Sequence, residues 1–573
     1  MAHLHKKIKQ GRAYYYIRET QRIDGKPTVV NQVYLGTADR ILARLTGCAP
    51  RVPSRFASKE FGSLFLLDAL DRSTVNLVQL VDTLLPARRK SAQLSLGQSL
   101  YYAVLNRAIA PRSKRQLAQW YDTTDIQHIR PVRLKSLSPQ HLWNHWDRLG
   151  EAEVEQLAEH FFQQVHRLHP SQEEHFFFDT TNYYTYLDAR TPSTLAKRGY
   201  NKAGKHHLRQ VGLALITERT SGMPIYYRPY PGNQHDARFF EEQLPAILAK
   251  LTALGLTVKA LTLIFDKGMP NEHTIGQLDA TPALHFITPY SPYFAPQLAR
   301  VPLKHFQPLP RTPHHDSQAQ GQEPDQILYT ETSATFWGQL RKVVITYNPK
   351  TFRKKRYELR EKLAKVRQVL YDLRRKHRDH APHWRKPDAI RAHYEQVCEG
   401  LPLSPTFFVL SFYTEAGRPQ MAFHLNRPQT ESHLRRLAKT ILITDHQDWS
   451  AQEIYQAYME RHRIEDQFRQ AKSPFHIALM PQYHWTDAKI RIHVLVCIVA
   501  LTYLTLLRQR LVEAGLHLSI PATMEALRSL RTALYWLPNE RKPRRQLEEP
   551  TPIQVAILNA CGFQVHNGRV LQY

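Results

Sequence analysis

The chain has 573 residues, 42% of them hydrophobic, which is enough for packed cores and excludes a disordered chain. Its 78 Lys and Arg against 50 Asp and Glu leave a formal charge of +28. A surplus of that size bears on partners (nucleic acid, anionic lipid or an acidic protein) and not on fold. Length predicts roughly three or four domains. The start, "MAHLHKKIKQGRAYYY", has no apolar segment of the signal-peptide kind. The most apolar run, Val494 to Leu507, is short for a span and flanked by Arg491, His493, Arg508 and Arg510. It is expected to be a buried core helix, with no membrane partner. Cys48, Cys398, Cys497 and Cys561 lack CxxC spacing, which argues against a zinc ribbon or a disulfide framework and fits a reducing cytoplasm.

Residues 1–55 read as β-rich, with two aromatic or β-branched runs joined by Asp24-Gly25 as a hairpin. Residues 56–170 read as helical. "QSLYYAVLNRAI" stops before Pro111, and Ser113 can cap a second helix in "PRSKRQLAQWYD". The pair suits either a helix-turn-helix, which would make this a DNA-reading region, or an ordinary bundle. Residues 171–290 carry a strand ending in Asp179, a hairpin over 211–230 turned at Ser221-Gly222, and a helix opened by Asp236. A strand ending in Asp266, a helix and the strand "LHFIT" follow. That order predicts an α/β sheet. Residues 291–438 interrupt it with a Pro-, His- and Gln-rich loop (302–325), two strands and a very basic helical segment from 351 on, paired with a helix near 388–399. Such a charge run suits a solvated face or phosphate contact equally. Sheet texture returns over 439–445 within a segment reaching 515. A helix capped by Ser450 and Glu453 follows, then the apolar helix at about 487–511. The tail, 516–573, shows no clear pattern.

The helix from Ser450 contains "YMERHRIEDQFRQAK". At about 100° per residue, with Tyr458 at zero, Arg461 falls near −60°, Glu465 near −20° and Lys472 near −40°, while Glu460 falls near 200° and Asp466 near +80°. Glu465 alone of the three carboxylates shares a face with Tyr458, Arg461 and Lys472. Glu460 and Asp466 are expected to be solvated neighbours. An Arg461–Glu465 pair on a surface helix is worth a few tenths of a kcal/mol. It does not account for a Tyr and a Lys on the same line.

The spacing Y-x2-R-x3-E-x6-K, met by Tyr458, Arg461, Glu465 and Lys472, resembles the signature of a branch of the DDE transposases of bacterial insertion sequences. "FFFDTTNYY" resembles the block with the first catalytic Asp. "LIFDKGM" resembles the second, with Lys267 where Arg is usual. "RGYNKAGKHHLRQVGLAL", "YYRPYPGNQHD" and "MPQYHWTDAKIRIHVLVCIVAL" are also similar to family segments. The likeness covers about 175–290 and 439–505 and is looser in the N-terminal third.

The resemblance implies an RNase H-like catalytic core, a mixed sheet flanked by helices. A large α+β insertion would lie within the 199 residues from Asp266 to Glu465, behind a β-rich and then helical N-terminal region. It implies Asp179, Asp266 and Glu465 as catalytic carboxylates holding two Mg²⁺ ions, with Mn²⁺ able to substitute. Hard oxygen donors of this kind suit Mg²⁺, and a metal pair serves phosphodiester chemistry. Tyr458, Arg461 and Lys472 would meet DNA at the rim, joined by Arg198, Lys202 and Lys205 in the loop after the first Asp strand. Implied partners are double-stranded DNA, as terminal inverted repeats and as target, and a second copy of the chain in a synaptic complex. The route would be cut-and-paste, often through a hairpin, in the bacterial cytoplasm at the nucleoid. Two rival readings share these carboxylates or this ancestry: a metal-dependent nuclease without strand transfer, and a non-catalytic DNA-binding descendant of a transposase.

Overall fold

The computed structural model describes residues 2–23, 25–47, 52–86, 94–170, 175–200, 204–254, 261–310, 326–480, 483–538, 540–566 and 569–572. Asp24, Cys48, Lys202 and most of the 302–325 loop therefore lie outside the described residues. The chain divides into two compact units. One comprises Met1–Gly62, Thr123–Asp125 and Glu525–Tyr573, the other Ser63–Asp122 and Ile126–Met524.

In the first unit the expected hairpin is present, Arg12–Ile23 against Lys26–Gly36, but a third strand, Ala2–Lys9, pairs on its other side. Gln10 and Gly11, both at positive φ, make the two-residue turn that suits strand twist. A second sheet joins Arg55–Glu60 to Arg531–Trp536 and Arg544–Leu547, so the tail has regular structure that its sequence did not reveal. Its buried anion, Asp125, accepts from Arg545 Nε (2.9 Å) and Thr532 Oγ1 (3.0 Å).

The second unit is built on a nine-stranded sheet. Its strands are β1 (His175–Thr185), β2 (Arg209–Glu218), β3 (Pro224–Pro231), β4 (Leu261–Ile264), β5 (Leu284–Tyr290), β6 (Gln307–Pro308), β7 (Leu328–Phe336), β8 (Gln339–Tyr347) and β9 (Lys439–Thr444). The spatial order is β6-β7-β8-β9-β5-β4-β1-β2-β3. β1, β4 and β5 run parallel, and β2 and β3 fold back antiparallel. This mixed sheet, helices against its faces, fits an RNase H-like core. The helices Asp236–Ala253 and Glu272–Asp279 contribute to a core with Phe176, Phe178, Leu263, Phe265 and Phe286. Period-two alternation therefore gives those strand residues one face, and Phe177, Asp179 and Thr181 the other.

Four more helices matter for the site: α1 (Pro349–Arg378), α2 (Ala451–Met459), α3 (His462–Lys472) and α4 (Asp487–Glu513). α1 and Pro387–Gly400 share a separate core with the hairpin Phe408–Glu415/Arg418–Leu425. α4 is apolar enough to cross a membrane by length and composition, but 94% of its apolar window is buried within the fold. It is a core helix packed on Leu96–Ile109 and Glu151–Leu168. Tyr503 on α4 donates to the buried carboxylate of Asp71 (2.6 Å), which also accepts from Arg130 Nη2 (2.9 Å) and Leu77 N (2.8 Å). A buried anion with three donors is satisfied and ties the helical layer together.

Candidate active site

The parallel pairing of β1 and β4 sets His175 against Thr262 and Phe177 against Ile264. Two residues further along each chain stand Asp179 and Asp266. Neighbouring strands lie about 4.8 Å apart, so the two carboxylates start from adjacent backbones at one level. They also share a face: Phe178 and Phe265, each immediately before its Asp in sequence, both belong to the opposite core. Asp179 is not at a strand end, as expected from the apolar run before it. β1 continues to Thr185, because "TTNYYT" keeps alternating and pairs residue by residue with β2.

The helix expected from Ser450 is two helices. Ser450 and Glu453 form the capping box of α2, but the ladder tightens at its end. Arg461 N bonds Tyr458 O (3.2 Å), Arg463 N bonds Glu460 O (3.0 Å) and Ile464 N bonds Arg461 O (3.1 Å), each reaching back three residues. Such a 3₁₀ step lets the chain turn between two packed segments. Here it lets Glu460 meet Arg219 at the β2–β3 turn, with both side chains largely buried. Glu460 is thus an anchored anion and not the solvated neighbour expected. Asp466 is half-exposed and pairs with Arg469.

Despite the break, Tyr458, Arg461 and Glu465 remain together. Arg461 donates from Nη1 to Asp266 Oδ1 (2.9 Å), and its Nη2 stands 3.5 Å from Glu465 Oε1. The guanidinium lies 4.9 Å from the centre of the Tyr458 ring. Burial pushes the Tyr458 hydroxyl up to about 12; Arg461 opposes this, while Asp266, Glu465 and Asp179 all push it further up. One hydroxyl therefore feels all three carboxylates. Lys472, at the far end of α3, donates to Asn182 O (3.0 Å) and Thr181 Oγ1. Thr181 is two residues from Asp179 on the same face, so α3 covers the carboxylate side of the sheet from Asp266 to β1. Ile464, Phe468 and Ala471 supply its buried edge.

Of the other expected contacts, Arg198 is exposed, and Lys205 Nζ sits 4.1 Å above the Tyr184 ring. Three positioning residues escaped the sequence reading. Thr181 holds Lys472, and alternation from Asp179 could have found it. Arg219 holds Glu460, and nothing in the sequence signals that pair. Gly222, at φ +71°, lets the buried Gln467 approach: a Cβ there would lie 2.9 Å from Gln467 Nε2.

The donor set suits a hard divalent cation in kind: three carboxylates, with Asp266 and Glu465 44% and 55% exposed and so open to substrate. Among the described residues, however, no three His, Cys, Asp or Glu side chains are gathered closely enough to ligate one. The Arg461 guanidinium occupies the space between two of the carboxylates and neutralises them.

A profile of the transposase DDE domain family matches residues 172–501, more than half of the chain and the whole interval containing these groups. The chain belongs to that family. The matched transposase domain takes in all of β1 to β9, α1 to α3 and the first half of α4. No curated protein matches the sequence. Among solved structures, the cryo-EM synaptic complex of piggyBac transposase with hairpin DNA aligns at 9% identity and a TM-score of 0.36, over 83% of this chain and 82% of that one. The paired-end complex of Mos1 transposase with its left transposon end aligns at 14% identity and a TM-score of 0.15, over 37% and 64%. Neither likeness is close enough to argue from.

Proposed function

We propose that this transposase binds the terminal inverted repeats of an insertion sequence, cleaves the strands at its ends and joins them to target DNA. We place it in the branch that carries the Tyr-Arg-Glu-Lys signature. The observation that carries the reading is the level placement of Asp179 on β1 and of Asp266, two residues past the end of the adjacent parallel strand β4, beneath the helix that presents Glu465. Asp179, Asp266 and Glu465 are the groups to hold divalent cations, Mg²⁺ or Mn²⁺, which supply an activated nucleophile and charge neutralisation at the leaving oxygen. In cleavage, water attacks phosphorus and the bond to the 3′-oxygen breaks, leaving a 3′-hydroxyl. In joining, that hydroxyl attacks a target phosphate, and the target's own 3′-oxygen leaves.

The side chains around the carboxylates orient this chemistry. Arg461 holds Asp266 and Glu465 in register until a phosphate claims its guanidinium, a planar donor suited to bidentate phosphate contact. Tyr458 keeps its proton and can donate to a phosphate oxygen. Lys472 fixes the end of α3 at the rim where the backbone of the DNA passes, and Arg198, Lys202 and Lys205 extend that rim. Two copies would act together, one on each end.

The test is incubation with Mg²⁺ and a duplex ending in the element's inverted repeats. Nicking followed by joining is the expected result. Nicking alone would assign a nuclease, and binding alone a non-catalytic DNA-binding protein.

A further inference from the structure

α1 is a 30-residue helix with two unlike faces. Leu359, Leu363, Val366, Leu370 and Leu373 are buried in the core of the insertion. The remaining surface is basic: the helix holds thirteen Lys and Arg against three acids, Glu358, Glu361 and Asp372. Lys354, Lys355, Arg356, Arg360, Lys365 and Arg367 are exposed and form no ion pair among the described residues. The first turn has no acid, and the cations crowd the helix N-terminus, where the helix dipole disfavours them. A face that serves only to stay solvated needs no such one-sided charge.

The sheet register shows where this face starts. Ile264 pairs with Ile287 across β4 and β5, Pro289 with Leu442 across β5 and β9, and Leu442 with Val344 across β9 and β8. Asp266, two residues past Ile264, is thus level with Val344. β8 ends at Tyr347, and α1 begins at Pro349. α1 leaves from the sheet edge that carries Asp179 and Asp266, three strand spacings across and five residues further along from the level of Asp266, or roughly 20 Å. Along the same edge a groove is lined by Tyr293, just past the end of β5, and by Lys355, Lys362, His433 and Arg436, with Glu358 as its one acid.

We propose that the exposed face of α1, with this groove at its base, is a track for the phosphate backbone of double-stranded DNA running outward from the carboxylates. It rests on the DNA-processing reading above and adds the segment that holds the flanking duplex. The helix is about 45 Å long at 1.5 Å per residue, and duplex DNA carries one negative charge per about 1.7 Å of axis, so the two extended charge arrays are opposite in sign and alike in length scale.

The experiment measures the salt dependence of duplex binding by the full chain in EDTA, which prevents cleavage. A duplex of about 40 base pairs reaches past α1, whereas a hairpin stem of about 6, roughly 20 Å long, ends before Lys354. The combined Lys354→Gln, Lys355→Gln, Arg356→Gln and Arg360→Gln variant should melt like the parent. Its log–log salt slope on the long duplex should fall by about 3 to 4, with about tenfold or greater loss of affinity. Binding of the short duplex should change little. A parent that binds the long duplex and a variant with an unchanged slope would overturn the track while leaving the functional reading intact. A parent that binds neither duplex would overturn both. Equal loss on both duplexes would also count against the track, because it would mean the cations act on whatever DNA the protein holds.

Discussion

Arg461 Nη1 donates to Asp266 Oδ1 at 2.9 Å, and the same guanidinium reaches Glu465 at 3.5 Å. One cation thus neutralises two carboxylates borne on different elements.

Removing that guanidinium should separate cation binding from catalysis. The pair is half-exposed, so its loss costs stability by about 1 kcal/mol or less. Arg461→Gln should tighten Mn²⁺ binding, read by titration calorimetry, because Asp266 and Glu465 no longer carry a competing charge. Strand cleavage should nevertheless fall at least tenfold, a loss of about 1.4 kcal/mol in transition-state stabilisation. Mn²⁺ affinity that is unchanged or weaker would show that Arg461 does not compete for these carboxylates.

Glu460 belongs to another task. Its partner is Arg219, at the turn between β2 and β3, on the side of the helix break away from Asp266. Glu460→Gln should lower the melting temperature, with about 1 kcal/mol of stability lost for a charge-assisted bond in a largely buried setting, and leave the cleavage rate within about twofold. A loss of cleavage as deep as that of Glu465→Gln would mean the helical register has been read wrongly.

Lys472 bridges α3 and β1 through Asn182 O and Thr181 Oγ1. If it also meets a phosphate when DNA is bound, Lys472→Ala lowers the salt slope of end binding by about 0.9. Thr181→Val, which removes one anchor and no charge, leaves that slope unchanged. Binding isotherms at several salt concentrations check both, and equal slopes for Lys472→Ala and the parent would confine Lys472 to holding the helix.

The folded helical layer contains a titration of its own. Lys114 lies 4.5 Å above the Trp146 ring and 3.4 Å from His484. Burial, then Arg107 and Lys489, push its ammonium down to about 7. An unfolded lysine titrates near 10.4, so between about 7 and 10.4 the unfolded chain binds the extra proton. Stability from this group therefore rises with pH across that window and is at its lowest below it. Lys114→Met should flatten the rise and stabilise the protein most at pH 7 and below, as thermal melts at pH 6, 8 and 10 would show. Identical pH profiles for the two proteins would contradict the burial of that charge.

Much of the candidate site was legible because it follows from periodicity. The apolar runs before Asp179 and Asp266 became β1 and β4, and Tyr458, Arg461 and Glu465 stand together although the single helix expected to align them is broken. What escaped depends on partners distant in sequence. The helix break after Met459 accompanies an ion pair to Arg219, some 240 residues earlier. The strand Ala2–Lys9 is not singled out within the β-rich region, since "KKIK" has too few apolar residues to mark a face, and it is exposed along almost its whole length. The partner of Lys472 was hidden because polar residues such as Thr181 and Asn182 look like a strand terminus until β2 is seen to pair with them.

The central claim is that Asp179, Asp266 and Glu465 work as one metal-dependent centre on DNA. The most direct measurement is end cleavage with Mg²⁺ by Asp266→Ala and Glu465→Gln, alongside end binding by the same proteins. The account predicts that each variant binds the ends and that neither cleaves detectably. Cleavage surviving either substitution would contradict it.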